Sequence, residues 1–95
     1  MWSNYETVSS EEILVCPNPA VGVDHVVFSK IPSDSRVLKI YNIAGELVKV
    51  LYVNGQRNPR WYLDNSYAKP VASGVYIVQT ESSKGVSCGK FVVVR

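Results

Sequence analysis

Asp24 and His25 stand side by side in a chain that also holds several serines, the residue types of a charge-relay nucleophile. That chemistry needs a serine presented on a sharp turn, as in Gly-x-Ser-x-Gly, and none of the serines has such a context. Glu11, Glu12 and Asp64 are scattered, and their spacing does not pair them as acid and base. Cys16, Cys88 and the lone His25 offer no metal-ligand spacing. The glycines stand alone in turns rather than together in a phosphate loop. The sequence therefore predicts no catalytic residue, no cofactor and no metal. Trp61, Tyr62 and Tyr67 cluster on or beside one loop. Two readings of them stay open: a platform that stacks on a sugar ring, or one core tryptophan with two loop tyrosines. What remains is recognition at a surface.

The elements that must carry that surface are strands. The stretch from Lys69 to Gln79 starts as a polar turn and becomes the strand Val75-Tyr76-Ile77-Val78, rich in β-branched residues. Gly74 gives the chain freedom to swing into it. Its apolar residues occupy both parities, which predicts a central strand covered on both faces. Tyr76 is either a tyrosine corner, its hydroxyl bonded to nearby backbone, or a plain core residue.

Before it, Ile13 to Cys16 reads as a short strand stopped by Pro17-Asn18-Pro19, because two prolines remove two backbone donors. Val23 to Ile31 follows, with Val26 and Phe28 on one face. Val37 to Ile43 places Leu38 and Ile40 on one face and Lys39 and Tyr41 on the other. Through Ala44-Gly45-Glu46 it returns as Leu47 to Tyr52, the clearest hairpin in the chain. Arg60 to Leu63 is a short strand with Trp61 as its anchor. Val86 to Arg95 is the last strand, continuously apolar from Phe91 to Val94. About seven short strands with turns every 8–12 residues and no helix predict an all-β, immunoglobulin-like antiparallel sandwich.

The chain has 95 residues, 46% of them hydrophobic, and a net charge of +2. That is one domain with enough apolar content for a core. The small charge gives no argument for nucleic acid or an anionic membrane as partner. No apolar run approaches the ~20 residues that cross a bilayer, so no membrane insertion is expected. Met1 to Glu6 is polar and lacks a signal peptide's apolar region. Residues 1–12 read as a linker or tag remnant and 13–95 as the domain; the chain is either cytoplasmic or a piece of a longer exported protein. Cys16 and Cys88 lie near the starts of the first and last core segments and are either a disulfide or two ordinary thiols.

Four motifs in order resemble a known family. They are Cys16-Pro17-Asn18-Pro19 ("x-P-N-P"), Leu38 to Val48 with Gly45 ("LKIYDITGRLV"), Trp61 with Pro70 to Tyr76 ("W…PVASGVY"), and Gly89 to Arg95 ("K-x-V-V-x-K/R"). They look like the C-terminal sorting domain, type A, of the type IX secretion system, and like the related Ig-like domain of flagellar hook-capping proteins. The likeness runs from Ile13 to Arg95. It departs at Cys16, where the family has an aromatic residue, and near Tyr62-Leu63, which lacks the family's Asp-Gly. The basic residue after Val92-Val93-Val94 leans towards the sorting group.

The resemblance implies a non-catalytic address at the end of an exported protein, recognised by secretion-system proteins and cut off by a sortase-like protease. The cargo domain upstream would then be joined to surface lipopolysaccharide and would reach the medium or the cell surface through the periplasm. It places the cut before Ile13 and the recognised element at Gly89, Lys90, Phe91, Val92, Val93, Val94 and Arg95. A terminal strand at a sheet edge offers unpaired backbone groups for strand addition, with Lys90 and Arg95 adding charge. The same open edge permits a weak homodimer. A spacer module and a carbohydrate-binding module are the competing readings.

Overall fold

The computed structural model describes residues 12–95, so the linker expected over 1–12 lies, except for Glu12, outside the described residues. The chain forms eight strands and, among the described residues, no helix: β1 Leu14–Cys16, β2 Ala20–Val21, β3 Val26–Ser29, β4 Val37–Asn42, β5 Leu47–Tyr52, β6 Arg60–Trp61, β7 Gly74–Ser82 and β8 Gly85–Val94. They make two sheets, β1-β3-β6 and β2-β8-β7-β4-β5. The expected all-β sandwich is the observed fold. One strand was not foreseen. Ala20–Val21, just beyond Pro19, pairs with Val93–Val94 of β8, and this is a parallel pair.

The alternation expected in the sequence builds the core. Val26 and Phe28 of β3, and Leu38 and Ile40 of β4, are buried, while Lys39 between the latter is exposed. Trp61, Tyr76, Phe28 and Phe91 form one aromatic cluster between the sheets. Phe91 lies edge-on to Phe28 at 5.8 Å and to Trp61 at 6.0 Å, with Tyr76 at 6.0 Å. Edge-to-face contacts of this kind contribute about 0.5–1.5 kcal/mol each beyond simple burial.

Local bonds set the connections. The Asn42 side-chain oxygen accepts from the backbone N–H of Ala44 and Glu46 and closes the β4–β5 turn. Gly45, at φ +84°, occupies the left-handed position there. The Tyr76 hydroxyl donates to the Ala72 carbonyl at 2.7 Å, the tyrosine-corner geometry. Burial pushes its phenol pKa up, so it stays a donor. At the β7–β8 turn the Ser83 N–H donates to the Asp34 carboxylate and holds that carboxyl below its ordinary pKa.

Gly89 makes room for a close backbone crossing. A Cβ there would lie 2.4 Å from the Ile13 carbonyl oxygen, because the chain entering β1 passes directly over β8. Ile13 is itself 2% exposed, and its N–H donates to the Cys88 carbonyl. Gly89→Ala is expected to destabilise the domain by about 1–3 kcal/mol, the usual cost of overpacking. Urea denaturation measures the loss. Amide exchange is expected to show the extra opening at Ile13 to Val15 first.

Candidate functional site

The strand with the strongest claim to recognition is divided by its own pleat. Along β8 the burial alternates strictly from Ser87. Phe91 and Val93 point into the core at 1% exposure each, and Gly89 shares their face opposite Val78. Lys90, Val92 and Val94 point out. Of the seven residues singled out, three therefore hold the fold and three are accessible. Arg95 does something else. Its backbone N–H donates to Ser73 Oγ, its Nε to the Val71 carbonyl and its guanidinium NH2 to the Leu63 carbonyl, both of the latter at 2.8 Å. It braces two loops from the end of β8 while the residue stays exposed.

The open edge expected on the last strand is not there. Ile13 N–H occupies the Cys88 carbonyl, and Gly22 N–H occupies that of Val94. Between them Asn18 acts as a piece of strand: its Nδ2 donates to the Lys90 carbonyl at 3.2 Å and its Oδ1 accepts from the Val92 N–H at 3.1 Å. The physical reason is the path of Pro17-Asn18-Pro19, which runs beside β8. Neither proline can donate to a ladder, so a side-chain amide bonds in place of backbone. The outer edge from Cys88 to Val94 is thus already paired, and simple strand addition to it is blocked.

Trp61 is fully buried, with its indole N–H donating to the Asp64 carbonyl at 2.8 Å. That removes the stacking platform a sugar would need, although Tyr62 and Tyr67 are exposed. His25 packs its ring 5.2 Å from that of Tyr62, with Nδ1 against the Asp24 carboxylate. Cys16 and Cys88 are both free and exposed. They belong to different sheets, Cys16 opposite Val27 and Cys88 opposite Gln79.

The accessible residues of β8 have neighbours that sequence reasoning did not single out. Lys90 lies opposite Ile77 of β7, Ile77 opposite Tyr41 of β4, and Tyr41 opposite Leu47 of β5. Lys39 lies one pleat further along, opposite Gln79 and Val50. The alternation of Leu38 to Tyr41 and the double parity of Val75 to Val78 were the available signals. A shallow groove of about 480 Å³ borders this face, lined by Arg36, Lys39, Tyr41, Gln79 and Glu81 among others.

The model of the secretion system C-terminal sorting domain matches residues 14–94, from β1 to the end of β8. The chain belongs to that family, the sorting domain of type IX secretion. Among solved structures the domain is similar to part of PorZ of Porphyromonas gingivalis, described as an essential bacterial surface component of the type-IX secretion system. The two share 26% identity with a TM-score of 0.74 over 87% of this chain and 11% of that one. Latent dimeric PorU of the same organism matches at 24% identity and TM-score 0.61, over 87% of this chain and 9% of PorU. CopC from Methylosinus trichosporium OB3b shares the fold at 17% identity and TM-score 0.51, over 90% of this chain and 94% of CopC. The sorting domain thus spans about a tenth of PorZ and of PorU. No curated protein sequence matches it significantly.

The family gives the sorting domain its coarse role, a C-terminal signal region of type IX cargo, whose bearers are exported to the cell surface or secreted. Among the described residues no helix is long and apolar enough to cross a membrane. Asn18→Ala removes both bonds to the β8 edge and leaves the Lys90 carbonyl and Val92 N–H to water. We expect a loss of about 1–2 kcal/mol in chemical denaturation, since both groups can be rehydrated. Faster amide exchange at Val92, with Phe91 still protected, would confirm the capping role.

Proposed function

We propose that the sorting domain is the address of a longer exported protein, carried across the outer membrane by the type IX machinery and removed afterwards by a sortase-like protease. The observation that carries this reading is the family match over the whole sandwich, from β1 through the last residue of β8. In this reading Lys90, Val92 and Val94 meet the machinery. Gly89, Phe91, Val93 and Arg95 keep the strand in register, as do Pro17, Asn18, Pro19, Gly45, Trp61, Gly74 and Tyr76 elsewhere. The domain itself performs no catalysis and takes no cofactor.

The cut falls upstream of Ile13. Ile13 is buried and bonded to β8, and a protease needs an extended, accessible backbone. The start of the sandwich at Ile13 is therefore protected while the domain is folded.

Deleting β8 would strip Phe91 and Val93 from the core and would report on folding, not addressing. The test instead fuses the whole 95-residue chain behind a periplasmic signal peptide and a fluorescent protein, in a host with a type IX system. A fusion without the domain runs alongside. The expected result is fluorescence at the surface or in the medium only with the domain, and a released C-terminal fragment whose first residue, by mass spectrometry, lies at or before position 13. Export without the domain, or retention of the folded fusion in the periplasm, overturns the addressing role. A first cut inside the strands overturns the proposed site.

A further inference from the structure

Strand β7 is written in sequence as if both its faces were covered, yet the described residues cover only one. Tyr76, Val78 and Thr80 face the other sheet and are buried, while Val75 and Ile77 face outward and remain half-exposed. Doubly apolar strands belong to sheets with a layer on each side. Here the described residues supply no second layer.

The bare face continues across the sheet in register. Val92, opposite Val75, is 36% exposed, and Val94, opposite Val21, is 40% exposed. On the far side Leu47 of β5 is 53% exposed beside Tyr41. Contiguous exposed apolar surface of this kind marks an interaction site.

Positive charge stands inside it, while the groove at one margin also carries Asp34 and Glu81. Lys90 and Lys39 stand within the apolar residues, and Arg36 lies at the groove on its margin. Glu81 is the only acid on the outward positions of β7 and β8. The ion pairs among the described residues are Asp24–His25 and Lys49–Asp64, so neither lysine has a carboxylate partner there.

We infer that the outer face of the five-stranded sheet is a docking surface for a protein whose own surface carries an apolar patch bordered by carboxylates. This rests on the sorting reading, with the partner a component of the export machinery. A second copy of the chain fits less well, because two such faces would bring lysines against lysines. An anionic membrane fits less well too, since β-branched side chains flush with a sheet give little to insert.

The test uses the 95-residue chain fused to the reporter, as wild type and as three variants: Lys39→Glu with Lys90→Glu, Ile77→Lys, and the control Arg60→Glu on the other sheet. Thermal unfolding of each purified fusion establishes that it is folded. The expected result is export reduced about tenfold or more by the lysine reversal and by Ile77→Lys, the effect of losing a steered, desolvated contact, with the control unchanged. A photo-crosslinker at position 92 is expected to trap one machinery protein in the wild type, and not in the lysine reversal. If the wild type is exported and the folded variants are exported equally, this surface is wrong and the sorting reading survives. If the wild type itself is not exported, the sorting reading has failed. Concentration-dependent dimerisation, or binding to phosphatidylglycerol vesicles, that the lysine reversal abolishes would overturn the protein partner in favour of a second copy or a membrane.

Discussion

Phe91 is where the two sheets meet. Its ring contacts Phe28 and Trp61 from one sheet and Tyr76 from its own. Burying a phenylalanine side chain is worth about 2–3 kcal/mol before the aromatic geometry is counted. A domain of this size holds a margin of only about 5–15 kcal/mol, so one ring on the last strand carries a large share of it. The period of a strand is two, and the residue before Phe91 and the residue after it must therefore point out. Folding and display are fixed by the same register, and a one-residue slip would exchange them entirely. A machine that reads Lys90 and Val92 thus reads them only on a folded sandwich.

That constraint explains the treatment of the edge. A ten-residue strand with apolar side chains and a bare edge would pair with other copies. The chain closes it with three unlike devices: the backbone of Ile13, the side-chain amide of Asn18 and the short strand β2. Gly89 is the space that lets the first of these pass. The opposite edge is handled more lightly. Ser66 N–H occupies the Val48 carbonyl, and Lys49 is tied to Asp64 and the Asn65 carbonyl. Under the proposed addressing role, recognition at β8 would fall on the face, where side chains are read, rather than on the edge, where backbone would be read without regard to sequence.

Much of the fold was legible because its signals are local. Leu38 and Ile40 alternate with Lys39 and Tyr41 within four residues, and the Asn42-to-Glu46 turn closes on itself. Trp61 as an anchor also follows from types and near neighbours, and Tyr76 as a corner is one of the two readings that the sequence leaves open. What could not be read was set by contacts distant in sequence. Asn18 reaches Lys90 and Val92 across more than seventy residues. Arg95 reaches back to Leu63 and Val71, so a residue that looked like a free charge is a brace. Leu63 sits at φ +59° yet is 1% exposed. That is the region where the resembling sequences carry Asp-Gly, and glycine would relax the backbone. A left-handed leucine costs roughly 1–2 kcal/mol in backbone strain, which burial of its side chain, at about 1.5–3 kcal/mol, offsets.

The disagreement over β7 has a different origin. Its apolar residues on both parities correctly identified a central strand, and the described residues still leave one of its faces open. Stability alone does not ask for Ile77 and Val75 outward, since polar β-formers such as threonine would hold the strand as well and keep it wet. Local patterning that conflicts with the fold it produces is the usual mark of a functional surface. The same conflict recurs at Val92 and Val94 on β8 and at Leu47 on β5, all on one face. Lys39 and Lys90 keep that face soluble until it is covered, because an ammonium on a long apolar stem shields its neighbours while its head stays in water.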